Sequence, residues 1–402
     1  MAAKGRILFV DDEPRFLDDL RRHAAPLEEG WALEFADSAD AGLEAFAREP
    51  FQAVVADLRM PGMGGAEFLQ EVMARYPATI RVLLAADADR GQALQSVGRA
   101  HQCLAKPCDL ALLNSTLDFI CHYGRRVGND HVRELIARIG QLPAVPELYR
   151  EITRLLESER GSGDQLGAVI ERDMAMTAMI LKLANSAFFS LRHKVTSATE
   201  AVSFLGVDLL KGLVLAHGLF GQVGAFRIPS FTIQHLWQHS LAAAAASRRI
   251  AAAEGLGLQR ANEFFTAGLL HDIGILILAS RFPEDYGKVL ETNHRSGGDL
   301  EGSEFHVFGA THSEVGAFLL ALWGIPEPVV QAAAWHHSIS RQAVRGFTAA
   351  LAVHVADTLH GYNPEHEVFA KARLDEVYLG NLGLMGRVAD WTAAVQAGRG
   401  NT

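Results

Sequence analysis

Four side chains in the first part of the chain could carry phosphoryl chemistry: Asp11, Asp12, Asp57 and Lys106. The acidic pair, Asp57 and Lys106 each follow a short apolar run, respectively Arg6-Ile-Leu-Phe-Val10, Phe51-Gln-Ala-Val-Val-Ala56 and His101-Gln-Cys-Leu-Ala105. Such runs form buried parallel strands. In a doubly wound α/β sheet the carboxyl ends of neighbouring strands share one crevice, so these groups would converge from distant positions. Three carboxylates in one crevice need a cation. Magnesium suits them, as a hard ion that takes a few carboxylates and keeps waters and a phosphate oxygen. Asp57 would then be the nucleophile, while the ion and Lys106 neutralise charge on the transferring oxygens. A plainer alternative makes Asp11-Asp12 the cap of a helix starting near Pro14 and Asp57 a turn residue before Pro61-Gly62. It accounts neither for the coincidence of three strand ends nor for Lys106.

The elements that must position these groups change along the chain. Amphipathic stretches of helical length separate the apolar runs up to about residue 121, which predicts a doubly wound parallel sheet. Residues 122–134, with two glycines and Arg125-Arg126, read as a linker helix or broken connection. Beyond it the strand pattern stops. Leu148–Leu156, Leu166–Ala184, Leu241–Ala253 and Val315–Leu322 carry apolar residues at three and four spacing, so residues 135–402 are expected to be all-helical. At 402 residues and 49% hydrophobic composition the chain can bury the cores of two or three domains. No apolar stretch reaches about 18 residues without polar interruption, and the first residues run directly into the first strand, so a cytoplasmic protein without membrane contact is expected. Cys103, Cys108 and Cys121 lack metal or redox spacing, which fits reduced thiols. A net charge of −10 speaks against a general nucleic-acid surface, and DNA binding is not expected.

Residues 1–121 resemble a response-regulator receiver domain, on Asp11-Asp12, Val55-Ala-Asp-Leu-Arg-Met-Pro-Gly62 and Ala105-Lys-Pro107. The resemblance implies a flavodoxin-like fold with a five-stranded parallel sheet, phosphorylation of Asp57 by a sensor histidine kinase, magnesium on Asp11, Asp12, Asp57 and the Arg59 backbone carbonyl, and a phosphate-stabilising Lys106. Two positions depart from the pattern. Ala85 and Ala86 stand where receivers usually carry a Ser or Thr that bonds the phosphoryl group, and Cys103 stands where an aromatic ring often swings inward. A switch needs contacts that differ between its states, so the usual route of propagation is in question.

The second half resembles an HDOD domain, a helical relative of the HD phosphohydrolases, on Gln141-Leu-Pro-Ala-Val-Pro146, Leu183-Ala-Asn-Ser-Ala-Phe-Phe189 and Ala201-Val-Ser-Phe-Leu-Gly206 taken in order. Its core covers about residues 135–345, with the remainder expected as further helices. Asn185-Ser186 can be read as satisfying backbone groups between two helices or as a partner contact. Twelve of the seventeen histidines lie between His217 and His366, and His271-Asp272 sits in the apolar run Gly268–Leu278. A buried ionised carboxylate there needs a cation or a dense hydrogen-bond network. The adjacent pair binds a divalent metal in HD phosphohydrolases, with a histidine before and an aspartate after, for which this chain offers His239 and Asp357. His312 and His336-His337 stand where HD-GYP phosphodiesterases place further ligands, and His235 shares the helix face of His239. Such a set suits iron, manganese, zinc or nickel. The alternative is a cluster of core histidines bonded to backbone carbonyls and the two aspartates.

HD-GYP enzymes follow the His-Asp pair with a glycine and then a lysine, whereas Gly274 is followed by Ile275, and Ser338-Ile-Ser-Arg-Gln342 has no Gly-Tyr-Pro signature. The reading is therefore a phosphorelay response regulator whose HDOD output signals by protein contact, without confident catalytic residues, toward a downstream signalling protein or a second copy of itself. The alternative is a metal-dependent phosphohydrolase acting on a nucleotide or cyclic dinucleotide under receiver control.

Overall fold

The computed structural model describes residues 5–23, 31–86, 100, 102–106, 132, 135, 138–139, 146–157, 162–185, 195–222, 228, 231–296, 299–342, 344–360 and 373–397. Apart from Val132, the expected linker helix lies outside these residues, as do Cys108, Cys121 and Ser186 and the side chain of Cys103. The chain divides after Ala144 into two compact units.

In the first unit, β1 (Gly5–Val10), β2 (Trp31–Ala36), β3 (Ala53–Asp57), β4 (Ile80–Ala85) and β5 (Gln102–Ala105) form one sheet in the order β2-β1-β3-β4-β5. All four pairings are parallel. The apolar runs are near-continuous because both faces of a parallel sheet are covered. Every residue of β3 and β4 is buried. Leu8, Val10, Val54, Ala56 and Leu83 pack with Phe46, Phe51, Phe68 and Leu69 from α2 (Ala39–Arg48), α3 (Gly65–Arg75) and the strand leads. With α1 (Pro14–His23) after β1, the strand order reverses between β1 and β3, and the crevice at that switch point receives the acidic residues.

The second unit is helical. It runs through α4 (Glu147–Glu157), α5 (Gly163–Ile170), α6 (Met174–Ala184), α7 (Ala198–Leu205), α8 (Val207–Gln222), α9 (Ile233–Ala253), α10 (Leu258–Leu270) and α11 (Ile273–Arg281). There follow α12 (Pro283–Ser296), α13 (Leu300–Phe308), α14 (His312–Leu322), α15 (Glu327–Trp335), α16 (Ala349–His360), α17 (Glu376–Asn381) and α18 (Val388–Gln396). The periodic stretch Leu166–Ala184 is two helices rather than one. Asp173 breaks it by accepting the amide of Met176 at 3.0 Å, an N-cap that restarts the helix. Asn185 donates to the carbonyls of Leu181 and Val195 and accepts the amide of Val195, so its side chain closes the end of α6.

The apolar stretch Leu258–Arg281 is long and apolar enough to cross a membrane, yet 83% of its most apolar window is buried inside the protein, as in a core helix. Helices α9, α10 and α16 pack against one another around this stretch. The last helix is pinned by one carboxylate: Glu254 Oε1 accepts from Trp391 Nε1 and from Arg387 Nε, both at 2.8 Å. Trp391 is fully buried. Replacing it with Ala should destabilise the helical unit by about 3–5 kcal/mol. Urea unfolding of the full chain followed by circular dichroism checks this, and a loss below about 1 kcal/mol would mean that α18 adds little to the core.

Candidate phospho-acceptor and metal-binding sites

At the ends of β1 and β3 the carboxylates of Asp11, Asp12 and Asp57 come together, each offering an oxygen within 4.8 Å of the others. Lys106, just past β5, spans two of them, with Nζ 2.5 Å from Asp11 Oδ2 and 2.7 Å from Asp57 Oδ1. Its ammonium also lies 4.5 Å from the centre of the Phe16 ring. The Glu13 amide donates to Asp11 Oδ1 at 2.9 Å, and the Arg59 amide to Asp57 Oδ2 at 3.2 Å. Gly65 lets α3 start directly under the acceptor, because a Cβ there would meet the Asp57 carbonyl oxygen at 1.8 Å. Burial raises the Asp57 carboxyl above its usual range, against the opposing pull of Lys106. Burial lowers the Lys106 ammonium, but Asp11 and Asp57 outweigh it and hold the group charged. Three carboxylates facing one ammonium leave negative charge uncompensated, so the donor set fits a hard divalent ion. Ala85 is buried and Ala86 half-buried beyond β4, and neither offers a hydroxyl.

The second constellation is assembled from helix ends. His239 comes from α9, His271-Asp272 forms the break between α10 and α11, His312 opens α14, His336-His337 follows α15, and Asp357 lies on α16. Two groups have ligand atoms in metal range: His239, His271 and Asp357, and Asp272, His312, His336 and His337. Asp272 joins them. Its Oδ2 is 3.2 Å from Nε2 of both His239 and His271. Its Oδ1 is 3.5 Å from His312 Nε2 and 3.4 Å from His336 Nε2, yet accepts no hydrogen bond. Asp357 Oδ1 lies 3.2 Å from His239 Nε2, and its Oδ2 is 4.0 Å from His337 Nδ1. His235 is not drawn into either group.

The outer ring nitrogens decide what the inner ones are. His271 Nδ1 faces the Gly268 carbonyl at 2.7 Å, and His336 Nδ1 faces those of Ala332 and Ala333 at 3.1 and 3.0 Å. His312 Nδ1 faces Glu304 Oε2 at 2.7 Å. Carbonyls and carboxylates only accept, so Nδ1 carries the proton in all three rings and Nε2 of each neutral ring is a lone pair. These lone pairs point at a carboxylate and at one another. His312 Nε2 lies 3.4 Å from His336 Nε2, and His271 Nε2 lies 3.3 Å from His239 Nε2. Two unprotonated nitrogens at that spacing repel unless a proton or a metal cation lies between them. Two nitrogens on one tetrahedral zinc-like ion would be roughly 3.3 Å apart, and on an octahedral ion roughly 2.9 Å. The donor set of imidazole nitrogens and carboxylate oxygens therefore allows a transition-metal site in this half.

The electrostatics point the same way. Burial pulls His239 down, but its bonds to Asp272 and Asp357 carry it up to about 10, so a proton supplies the missing positive charge. Burial likewise opposes His312, yet Glu304 raises it to about 9. Burial and the neighbouring His336 push His337 down to about 3. Burial works against the Asp272 carboxylate, but the surrounding histidines hold it well below the usual range.

Close helix approach makes this convergence possible. A Cβ on Gly274 would lie 2.0 Å from the His312 carbonyl oxygen, and one on Gly316 would lie 3.0 Å from the Gly274 amide, so α11 and α14 meet at two glycines. Sequence reading placed the seven ligand candidates but missed Glu304, Tyr286 and His354, which surround them. His354 Nδ1 donates to the His336 carbonyl at 2.6 Å, and its Nε2 accepts the Asp375 amide at 3.0 Å. The glutamate sits eight residues before His312, across a helix end, and no fixed spacing marks it.

Comparison with known proteins agrees with this division. The profile of the response regulator receiver domain matches residues 7–118, and that of the HDOD domain matches residues 142–339. The chain thus carries an N-terminal receiver domain and a C-terminal HDOD domain, the make-up of a response regulator with an HDOD output. Among curated relatives, an uncharacterized protein of Treponema pallidum is 29% identical over 205 residues, covering 50% of this chain and 39% of that protein. The hydrogenase transcriptional regulatory protein HoxA of Cupriavidus necator is 36% identical over 103 residues, covering 25% of this chain and 21% of its own length. This chain thus spans well under half of either relative. A solved HDOD domain protein of unknown function from Geobacter sulfurreducens has the same fold, with a TM-score of 0.51 at 24% identity over 68% of this chain and 97% of that one.

Gly274→Ala is expected to force α11 from α14 and cost about 1–3 kcal/mol, as overpacking does. Thermal unfolding checks this, and an unchanged transition would show that the helices can part without penalty.

Proposed function

We propose that this protein is a response regulator phosphorylated on Asp57, with an HDOD output domain that holds divalent metal and signals by protein contact. The observation that carries the first part is the joint hold of Lys106 on Asp11 and Asp57 at the switch point of the sheet. A receiver domain implies a phosphodonor such as a sensor histidine kinase, and the reading places this protein in the cytoplasm. Magnesium held by Asp11, Asp12, Asp57 and the Arg59 carbonyl would supply charge neutralisation to the incoming phosphoryl group. The Asp57 carboxylate attacks phosphorus, forming an acyl phosphate as the donor's phosphorus–nitrogen bond breaks. Lys106, already on Asp57 Oδ1, stays in reach of the new phosphoryl oxygens. Because Ala85 and Ala86 bring no hydroxyl to it, the state is relayed through Lys106 and the acidic crevice to a downstream protein or a second copy of the chain.

A second reading, a metal-dependent phosphohydrolase of nucleotides or cyclic dinucleotides, draws on the cluster around Asp272. Metal there would supply Lewis acidity toward a phosphoryl oxygen. Against turnover, Ile275 is buried where HD-GYP enzymes carry lysine, and a 3-10 turn over Ile339–Arg341 follows His336-His337 in place of Gly-Tyr-Pro.

Acetyl phosphate with magnesium should label the wild-type chain and leave Asp57→Ala unlabelled in phosphate-affinity gels. Equal labelling of the variant would remove Asp57 from the account. Metal-loaded protein is expected to leave cyclic dinucleotides intact; hydrolysis that disappears in a folded Asp272→Asn variant would favour the enzyme.

A further inference from the structure

Two of the three histidines with a fixed outer nitrogen are backed by neutral carbonyls, His271 by Gly268 and His336 by Ala332 and Ala333. His312 differs. Its ring Nδ1 and its backbone amide both donate to Glu304 Oε2, each at 2.7 Å, and Glu304 Oε1 accepts from Tyr286 Oη at 2.9 Å. Glu304 and His312 are both 0% exposed. A buried carboxylate is costly, and a glutamine in its place would serve the same three partners without charge, because the Tyr286 hydroxyl can turn and accept. The negative charge at this position lies against the His312 ring, whose far nitrogen, Nε2, faces Asp272 Oδ1 at 3.5 Å.

We propose that Glu304 is a positioning residue for the metal cluster, fixing the His312 tautomer that turns Nε2 inward and strengthening cation binding in the His312, His336 and His337 half. The proposal rests on the metal reading of the cluster and extends it to an asymmetry between the two halves. A histidine backed by a carboxylate is a more basic ligand than one backed by a carbonyl, and loss of such an outer partner weakens affinity. His312 stands at the first turn of α14, where the helix dipole also favours the Glu304 charge, so the carboxylate is held by the helix it orients. Tyr286 donates to the oxygen that His312 leaves free, which stops Glu304 from rotating away. The chain Tyr286, Glu304, His312, Asp272 thus runs from the α12 core to the bridging carboxylate.

The test is a titration of the metal-free full-length protein with Mn(II) and Co(II) against a competing chelator, with the Co(II) visible spectrum as a second readout. Wild type should show two classes of site. In Glu304→Gln, which keeps the bonding pattern and removes only the charge, one class should weaken by about 10–100-fold with an altered Co(II) spectrum, and the other should stay within about threefold. The proposal is overturned if Glu304→Gln leaves both classes unchanged or weakens both alike. A wild-type protein that binds neither ion defeats the metal reading itself and the proposal with it, an outcome distinct from two intact classes in the variant.

Discussion

One buried carboxylate organises the helical half. Asp272 lies at the break between α10 and α11, almost out of solvent, with Nε2 of the adjacent His271 and of histidines from three other chain segments turned toward its two oxygens. Acceptors facing acceptors is an arrangement that a protein interior tolerates only around positive charge. The close approach of Gly274 to His312, the carbonyls behind His271 and His336, and Glu304 behind His312 all hold that arrangement in place. Where no metal supplies the charge, a proton on His239 does so, and this is why its imidazole is carried up to about 10 against its burial.

The receiver solves a smaller version of the same problem. There the ammonium of Lys106 neutralises part of a three-carboxylate crevice, and the remaining charge suits a hard ion with room for waters and phosphate. The two donor sets differ, carboxylate oxygen in one and imidazole with carboxylate in the other, and such sets suit hard and transition-metal ions respectively.

Much of this was legible in the sequence, for identifiable reasons. Parallel strands buried on both faces read as apolar runs, so their ends, marked by Asp11, Asp57 and Lys106, were visible within a residue or two. His271-Asp272 stood out because polar groups in an apolar helical run must be satisfied. The break at Asp173 was hidden, since apolar periodicity continues across it and only the cap reveals the restart. Glu304, Tyr286 and His354 were hidden for a different reason: on a helix, a polar residue that faces inward has the same spacing as one that faces water. The place of Asp272 between the two histidine groups depends on where each of its oxygens lies in space, which spacing along a chain cannot convey.

The most direct test is the transition-metal content of the full-length protein purified without chelator or affinity metal, beside a folded His271→Ala/Asp272→Ala variant. The account predicts iron, manganese, zinc or nickel approaching one ion for each of the two ligand groups in the wild type, and loss from both groups in the variant, because Asp272 serves both. Wild-type protein that stays free of metal after reconstitution with each of these ions, with the cluster intact, would contradict it and leave the histidines as a protonated core network.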